Sequence, residues 1–300
     1  MKRLYLIIVC CLLGSSLYAQ YANKSKRNKV KGSITFNKKS KEDEKFLEKQ
    51  WWMGLKGGIN LTKTAVTTHY SALSPTNYDP SLTNKEYQEF NEIGSQVALE
   101  VTFYFKQLSL SFQPTYRQSK FIYTTHYEWT DTENAANALT LDYEQVQKTE
   151  HMLLPLLVKF DLTKTKLRPY LQAGGFIAFL INADKSVTTS GIDYASGGEN
   201  EFSTEPIIVG AKDLFASTYY GMIAGAGVNY HQGNVRLNLD ISYQYGLTNI
   251  ASPEGRYSND RLNGVGDVMD DLTMDNIVIS IGCLFPLRFL GSGFKSLDKK

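Results

Sequence analysis

Residues 235–247 read VRLNLDISYQYGL and alternate in character without a slip. Val235, Leu237, Leu239, Ile241, Tyr243, Tyr245 and Leu247 are apolar or aromatic. Arg236, Asn238, Asp240, Ser242, Gln244 and Gly246 are not. Period two means a β-strand with one apolar and one polar face. A chain that repeats this pattern must cover many apolar faces with either a protein core or lipid.

Eight segments carry strand character: 51–63, 93–105, 108–123, 146–162, 167–181, 215–230, 235–247 and 274–289. Many run to 13 residues or more, against about 5–6 for a soluble strand. Their connections are sorted. Lys106-Gln107, TKTK at 163–166 and HQGN at 231–234 are short, whereas 64–92, 124–145, 182–214 and 248–273 each exceed 20 residues. Short and long alternate strictly, so a meander places every short turn at one end. Soluble sandwiches have no reason to sort loops this way. Membrane barrels do.

The faces agree. The polar side carries Lys56 and Asn60, Glu100 and Thr102, Ser109, Ser111, Gln113 and Arg117. It continues with Lys159 and Asp161, Arg168 and Gln172, then Arg236, Asp240 and Gln244. The other side is free of charge through the middle of each strand, as lipid demands, because Arg or Lys at mid-bilayer costs about 2–4 kcal/mol. Aromatics at the strand ends predict interface girdles. Trp51, Trp52, Phe105, Phe160, Tyr230, Phe285 and Phe289 fall at the short-turn rim. Tyr123, Tyr219, Tyr220, Tyr243 and Tyr245 fall nearer the long-loop rim. The predicted fold is all-β: an eight-stranded antiparallel up-and-down transmembrane β-barrel with short periplasmic turns and long extracellular loops, spanning 51–290. A C-terminal tail, 291–300, follows.

The N-terminus reads as an export signal over 1–19: Lys2 and Arg3, an apolar run from Leu4 to Leu13, and small residues before a cleavage site after Ala19. A lipid anchor at Cys10 or Cys11 is the alternative, and Val9 and Cys10 fit its small-residue requirement poorly. After cleavage Cys283 is the one cysteine left, so no disulfide can form within a chain, and its place in an apolar series makes it a small hydrophobe. The net charge of +2 conceals a split. Residues 20–50 hold ten Lys or Arg against four acids, and residues 51–300 hold twenty against twenty-six. The 20–50 segment is a basic arm too poor in apolar residues to offset its ordering entropy, and it is predicted to be a largely disordered periplasmic extension. Its charge alone would suit nucleic acid, but the export signal argues against that partner class, and no nucleic-acid partner is expected.

Three stretches resemble the PorT-like outer-membrane β-barrel family of Bacteroidota. They are GLKGGINLT at 54–62, HMLLPLLVKFDL at 151–162 and LRPYLQAGGFIAFLI at 167–181. Leu153 to Phe160 match the family's Glu-Ile-Pro-Leu-Leu-Leu-Lys-Tyr strand, with Leu153 in place of the Glu. Pro169-Tyr170-Leu171 and Gly174-Gly175 match the next strand. The resemblance covers roughly 51–290. It implies the barrel fold and, for some relatives, service in type IX protein secretion.

Eight strands enclose little more than side chains, so no open pore is expected. Lys56, Glu100, Arg117, Lys159, Asp161, Arg168, Arg236 and Asp240 are expected to pair inside as a plug, since unpaired buried charge is costly. A proton or solute path through them is the alternative. Asp260, Asp267, Asp270, Asp271 and Asp275 could gather Ca²⁺, but they match no EF-hand spacing, and a solvated acidic loop is the simpler reading. His69, His126, His151 and His231 lack metal spacing. Gly221, Gly225 and Gly227 lack the dinucleotide fingerprint and suit strand packing. No nucleophile elbow and no paired catalytic carboxylates occur. The chain reads as a non-enzymatic barrel without cofactor or metal, acting through outer-membrane lipid and a periplasmic or secretion-machinery partner held by 20–50. A loop-borne surface hydrolase and a narrow solute channel are the alternatives.

Overall fold

The computed structural model describes residues 49–70, 85–134, 136–195, 198–232, 235–257 and 268–287. The signal, most of the arm, the tail, Phe289, Asp260 and Asp267 lie outside them. Among the described residues there are twelve strands: β1 (Lys49–Thr68), β2 (Lys85–Tyr87), β3 (Ile93–Phe105), β4 (Leu108–Phe112), β5 (Thr115–Thr130), β6 (Ala138–Asp161), β7 (Leu167–Asp193), β8 (Asn200–Ser203), β9 (Ile207–Gly210), β10 (Thr218–Gln232), β11 (Val235–Gly246) and β12 (Asp271–Pro286). A short 3-10 turn, Lys212–Leu214, precedes β10.

β4 and β5 form one wall strand interrupted at Gln113-Pro114. The ladder continues across the break, from Leu99 N to Pro114 O and from Gln113 N to Pro155 O, each 3.0 Å. Counted so, eight strands pair antiparallel in sequence order, and β1 closes the circle on β12. The two-residue turn after β3 places Lys106 at φ 60°, the left-handed geometry that primed hairpin turns require.

The stagger follows from the registers. Paired residues run from Trp52 through Thr102, Ser111, Leu157, Gly174, Ile223, Gln244 and Asn276, and return to β1 at Thr62, ten residues on. With strands about 4.8 Å apart and a rise of about 3.3 Å per residue, that shear sets a tilt of about 40°. Each residue then climbs about 2.5 Å along the axis. The outward positions from Val235 to Tyr245 span about 25 Å, the height of a membrane-barrel apolar band. The next outward positions turn polar on several strands: Lys63 meets Glu89 at 2.7 Å, and Lys148 meets Glu150 at 3.0 Å.

Two expectations need correction. First, 124–145 and 182–214 are largely strand rather than loop. β5 and β6 stay paired to Thr130↔Ala138, and β6 and β7 to Leu139↔Asp193. β8 and β9 extend the β7 edge, and β2 lies against β5. These extensions are rich in Thr, Tyr and Val, good strand formers, but lack an apolar face, so periodicity does not reveal them. Second, Trp52 and Tyr219 face the lumen rather than the interface. Trp51 is 50% exposed and Trp52 0%, while Tyr220 is 53% exposed and Tyr219 1%. Adjacent strand residues point to opposite faces, so neither pair can place both rings in lipid. Tyr123 is buried for the same reason. Phe105, Phe160, Tyr230, Tyr243, Tyr245 and Phe285 are exposed on the outer surface.

Candidate functional site

The lumen is filled in layers, each set by inward positions of several strands. At the short-turn mouth, Arg236 on β11 lies 4.3 Å from the Trp52 ring and 4.8 Å from the Tyr104 ring. Tyr104 donates to Asp161 Oδ2 at 3.0 Å and accepts from Arg168 Nη1 at 2.6 Å. Arg168 is 3.8 Å from Asp161. Arg168 is partly exposed, while Asp161 and Arg236 are buried.

One layer in, Lys56 bonds Asp240 and lies 3.4 Å from Glu100. Lys159 donates to Glu100 at 2.6 Å. Thr102 and Ser111 donate to the same carboxylate at 2.7 and 3.2 Å. Asp240 also accepts from Tyr170 at 3.1 Å and Ser280 at 2.8 Å. Two lysines and two acids thus neutralise each other, the condition under which buried charge is tolerable; Glu100 Oε2 makes no hydrogen bond and has only Lys56, at 3.4 Å, as its counter-charge.

Above this, Arg117 donates to Gln244 at 2.8 Å and to Gln96 at 2.8 and 3.0 Å. Between the two layers the open volume is about 20 Å³, lined by Lys56, Arg117, Gln172 and Gln244 among others. That is room for about one water. Asn60, Thr62, Ser119 and Asn276 form the next hydrogen-bonded layer.

The upper lumen departs from the polar reading. Phe121, Tyr123, Leu153, Leu157, Phe176, Tyr219, Leu272 and Met274 form an apolar core, sealed by Leu214, Phe215, Ile250, Ala251 and Met269 from the long-loop end. A signal for it is present in HMLLPLLVKF, which is apolar on both faces: Leu154 and Leu156 point outward, Leu153 and Leu157 inward.

Of the five acids, the described Asp270, Asp271 and Asp275 are engaged by protein partners rather than left to solvent. Asp270 is fully buried, receives Tyr70 N at 2.8 Å and Tyr87 Oη at 2.9 Å, and pairs with Lys85 at 3.0 Å. Asp271 bonds Arg256 and Asn249, and Asp275 takes Tyr243 Oη at 2.7 Å. Among the described residues no three or more His, Cys, Asp or Glu gather as a metal site. His69 lies 3.5 Å from Asp270 and His126 2.7 Å from Asp142. His151 meets Tyr219 edge-on inside, and His231 meets Trp52 at the mouth. The histidines are therefore dispersed. A groove of about 710 Å³ opens on the cap between 212–217 and 252–255. Cys283 is a free thiol among outward-facing residues, paired in register with Leu55 and Leu237.

Several solved structures match this chain at low identity. Neisserial surface protein A matches at 14% identity and TM-score 0.30, covering 78% of this chain and 96% of its own. OprG of Pseudomonas aeruginosa matches at 13% and 0.35, covering 80% and 97%. The outer membrane protease OmpT of Escherichia coli matches at 9% and 0.33, covering 79% and 96%. No curated protein matches the sequence. The model of the outer membrane protein beta-barrel domain matches residues 17–252. The closed ladder with its apolar outer band is consistent with that match, and the chain belongs to the outer membrane protein beta-barrel domain family, whose place is the outer membrane.

Proposed function

We propose that the protein is a non-enzymatic outer-membrane component that anchors and presents interaction surfaces to partners. In this reading residues 1–19 direct export and are removed, the short turns and both termini face the periplasm, and the long-loop end faces outward. The basic arm holds an acidic periplasmic protein, and the PorT-like resemblance of 54–62, 151–162 and 167–181 makes assistance to a secretion or surface-assembly machine the favoured task. The observation that carries the reading is the side-chain-filled lumen: the space between the Lys56–Asp240 layer and Arg117 is only about 20 Å³. The hydrolase alternative draws no support from the dispersed histidines.

The test is a crosslinked pull-down from outer membranes, comparing the full chain with one lacking residues 20–48, since β1 begins at Lys49. A periplasmic partner recovered only with the arm supports the reading. Conductance in planar bilayers, or hydrolysis lost on changing loop carboxylates, would replace it.

A further inference from the structure

The periplasmic mouth holds a charge without a match. Arg236 is only 2% exposed, stacked between Trp52 and Tyr104, and its Nε finds no hydrogen-bond partner. Asp161, the acid nearest at hand, already accepts from Tyr104 and faces Arg168, and its Oδ1 is unpartnered. The amide of Gln50 and the indole N–H of Trp52 are buried and unpartnered as well. A buried guanidinium is costly unless a counter-charge meets it, and two guanidiniums share one carboxylate here. The approach is cationic: among the described residues the short turns carry Lys106, Lys164 and Lys166, all exposed, and no acid.

We propose that this mouth is the docking site for a carboxylate-rich segment of a periplasmic protein, with Arg168 and Arg236 taking a carboxylate and the three lysines lining its approach. The inference rests on the reading that the chain works through a periplasmic partner. Guanidinium forks suit carboxylates bidentately. Arg236 faces the lumen, away from the headgroups of the surrounding leaflet, and at 2% exposure it is met only by a peptide that displaces the side chains covering it. Arg168, partly exposed, is met first. The lysines extend the positive surface beyond the two arginines, which suits a polyanion better than a single small ion.

The test uses the mature chain in phosphatidylcholine nanodiscs and a fluorescein-labelled hexaglutamate peptide, read by anisotropy. Saturable, salt-sensitive binding is expected, weakened at least tenfold by Arg236→Gln and partly restored by Arg236→Lys. In a Trp51→Phe/Trp129→Phe background, binding should shift Trp52 emission, because Trp52 stacks on Arg236. Heat-modifiable mobility verifies the barrel. If Arg236→Gln does not fold, Arg168→Gln carries the same expectation. Binding unchanged by both substitutions but lost without residues 20–48 overturns the mouth site and leaves the arm reading standing. Binding intact without the arm but lost in the arginine variants does the reverse. Displacement of the peptide by millimolar phosphate overturns the peptide occupant in favour of a small-anion pocket.

Discussion

Glu100 is the keystone of the lumen, and its neutral isostere provides a quantitative test. Glu100→Gln keeps the shape but removes the charge. Lys159, 2.6 Å away and 4% exposed, then has no adjacent anion, while Lys56 keeps Asp240. Coulomb's law at an effective dielectric of about 20 gives about 6 kcal/mol at that separation before desolvation is counted. Breaking a buried pair by removing one partner costs about 3–5 kcal/mol net, because the remaining charge is stranded. That is about two to four orders of magnitude in the folding equilibrium. Adding Lys159→Met removes the stranded charge and restores neutrality, so the double variant is expected to regain most of the loss. Urea titration of the barrel refolded in lipid vesicles, followed by tryptophan fluorescence and gel mobility, measures both. A single variant within about 1 kcal/mol of the parent, or a double variant no more stable than the single, would refute the claim that Lys159 depends on Glu100.

Three further outcomes are expected. In single-tryptophan variants, brominated lipid should quench Trp51 strongly and leave Trp52 unaffected; equal quenching would mean the lumen assignment is wrong. Gly54→Ala should lower refolding yield and cost about 1–3 kcal/mol by overpacking, because a Cβ there would stand 1.9 Å from the Cys283 carbonyl oxygen. Gly57→Ala, whose Cβ meets nothing within 4 Å, should be silent in the same refolding assay. Asp131 caps the β5–β6 turn, taking Glu133 N at 3.0 Å and Asn137 Nδ2 at 3.3 Å. Those bonds, the backbone one first, hold its carboxyl below the usual range. A depressed folded value contributes stability above the unfolded pKa and loses it as pH falls through the folded one. Amide exchange at Glu133 should therefore gain protection lost only on acidification, and Asp131→Asn should flatten that dependence.

Much of the wall is readable along the chain. The segment 93–105 coincides with β3, and 235–247 with β11 apart from its last residue. The lumen charges Lys56, Glu100, Arg117, Lys159, Asp161, Arg236 and Asp240 are all buried, with Arg168 at the rim. Alternation is local, so it reveals face and strand number. It fails where its contrast fails: the polar upper reaches of β6 and β7 lack an apolar stripe, and aromatic pairs such as Trp51-Trp52 hide which ring faces out.

What the amino-acid order determines by itself is therefore the set of strands, their two faces and the sorting of short turns from long connections, because each depends on neighbours a few residues apart. What only the tertiary structure decides is closure and stagger. Lys56 and Asp240 are 184 residues apart in sequence. They meet because closure seats β12 between β1 and β11, and its registers, Lys56↔Gly282 and Asp240↔Ser280, bring the two side chains to nearly the same height inside a lumen only side chains wide. A different shear would keep every strand and every face, yet give each buried charge a different partner.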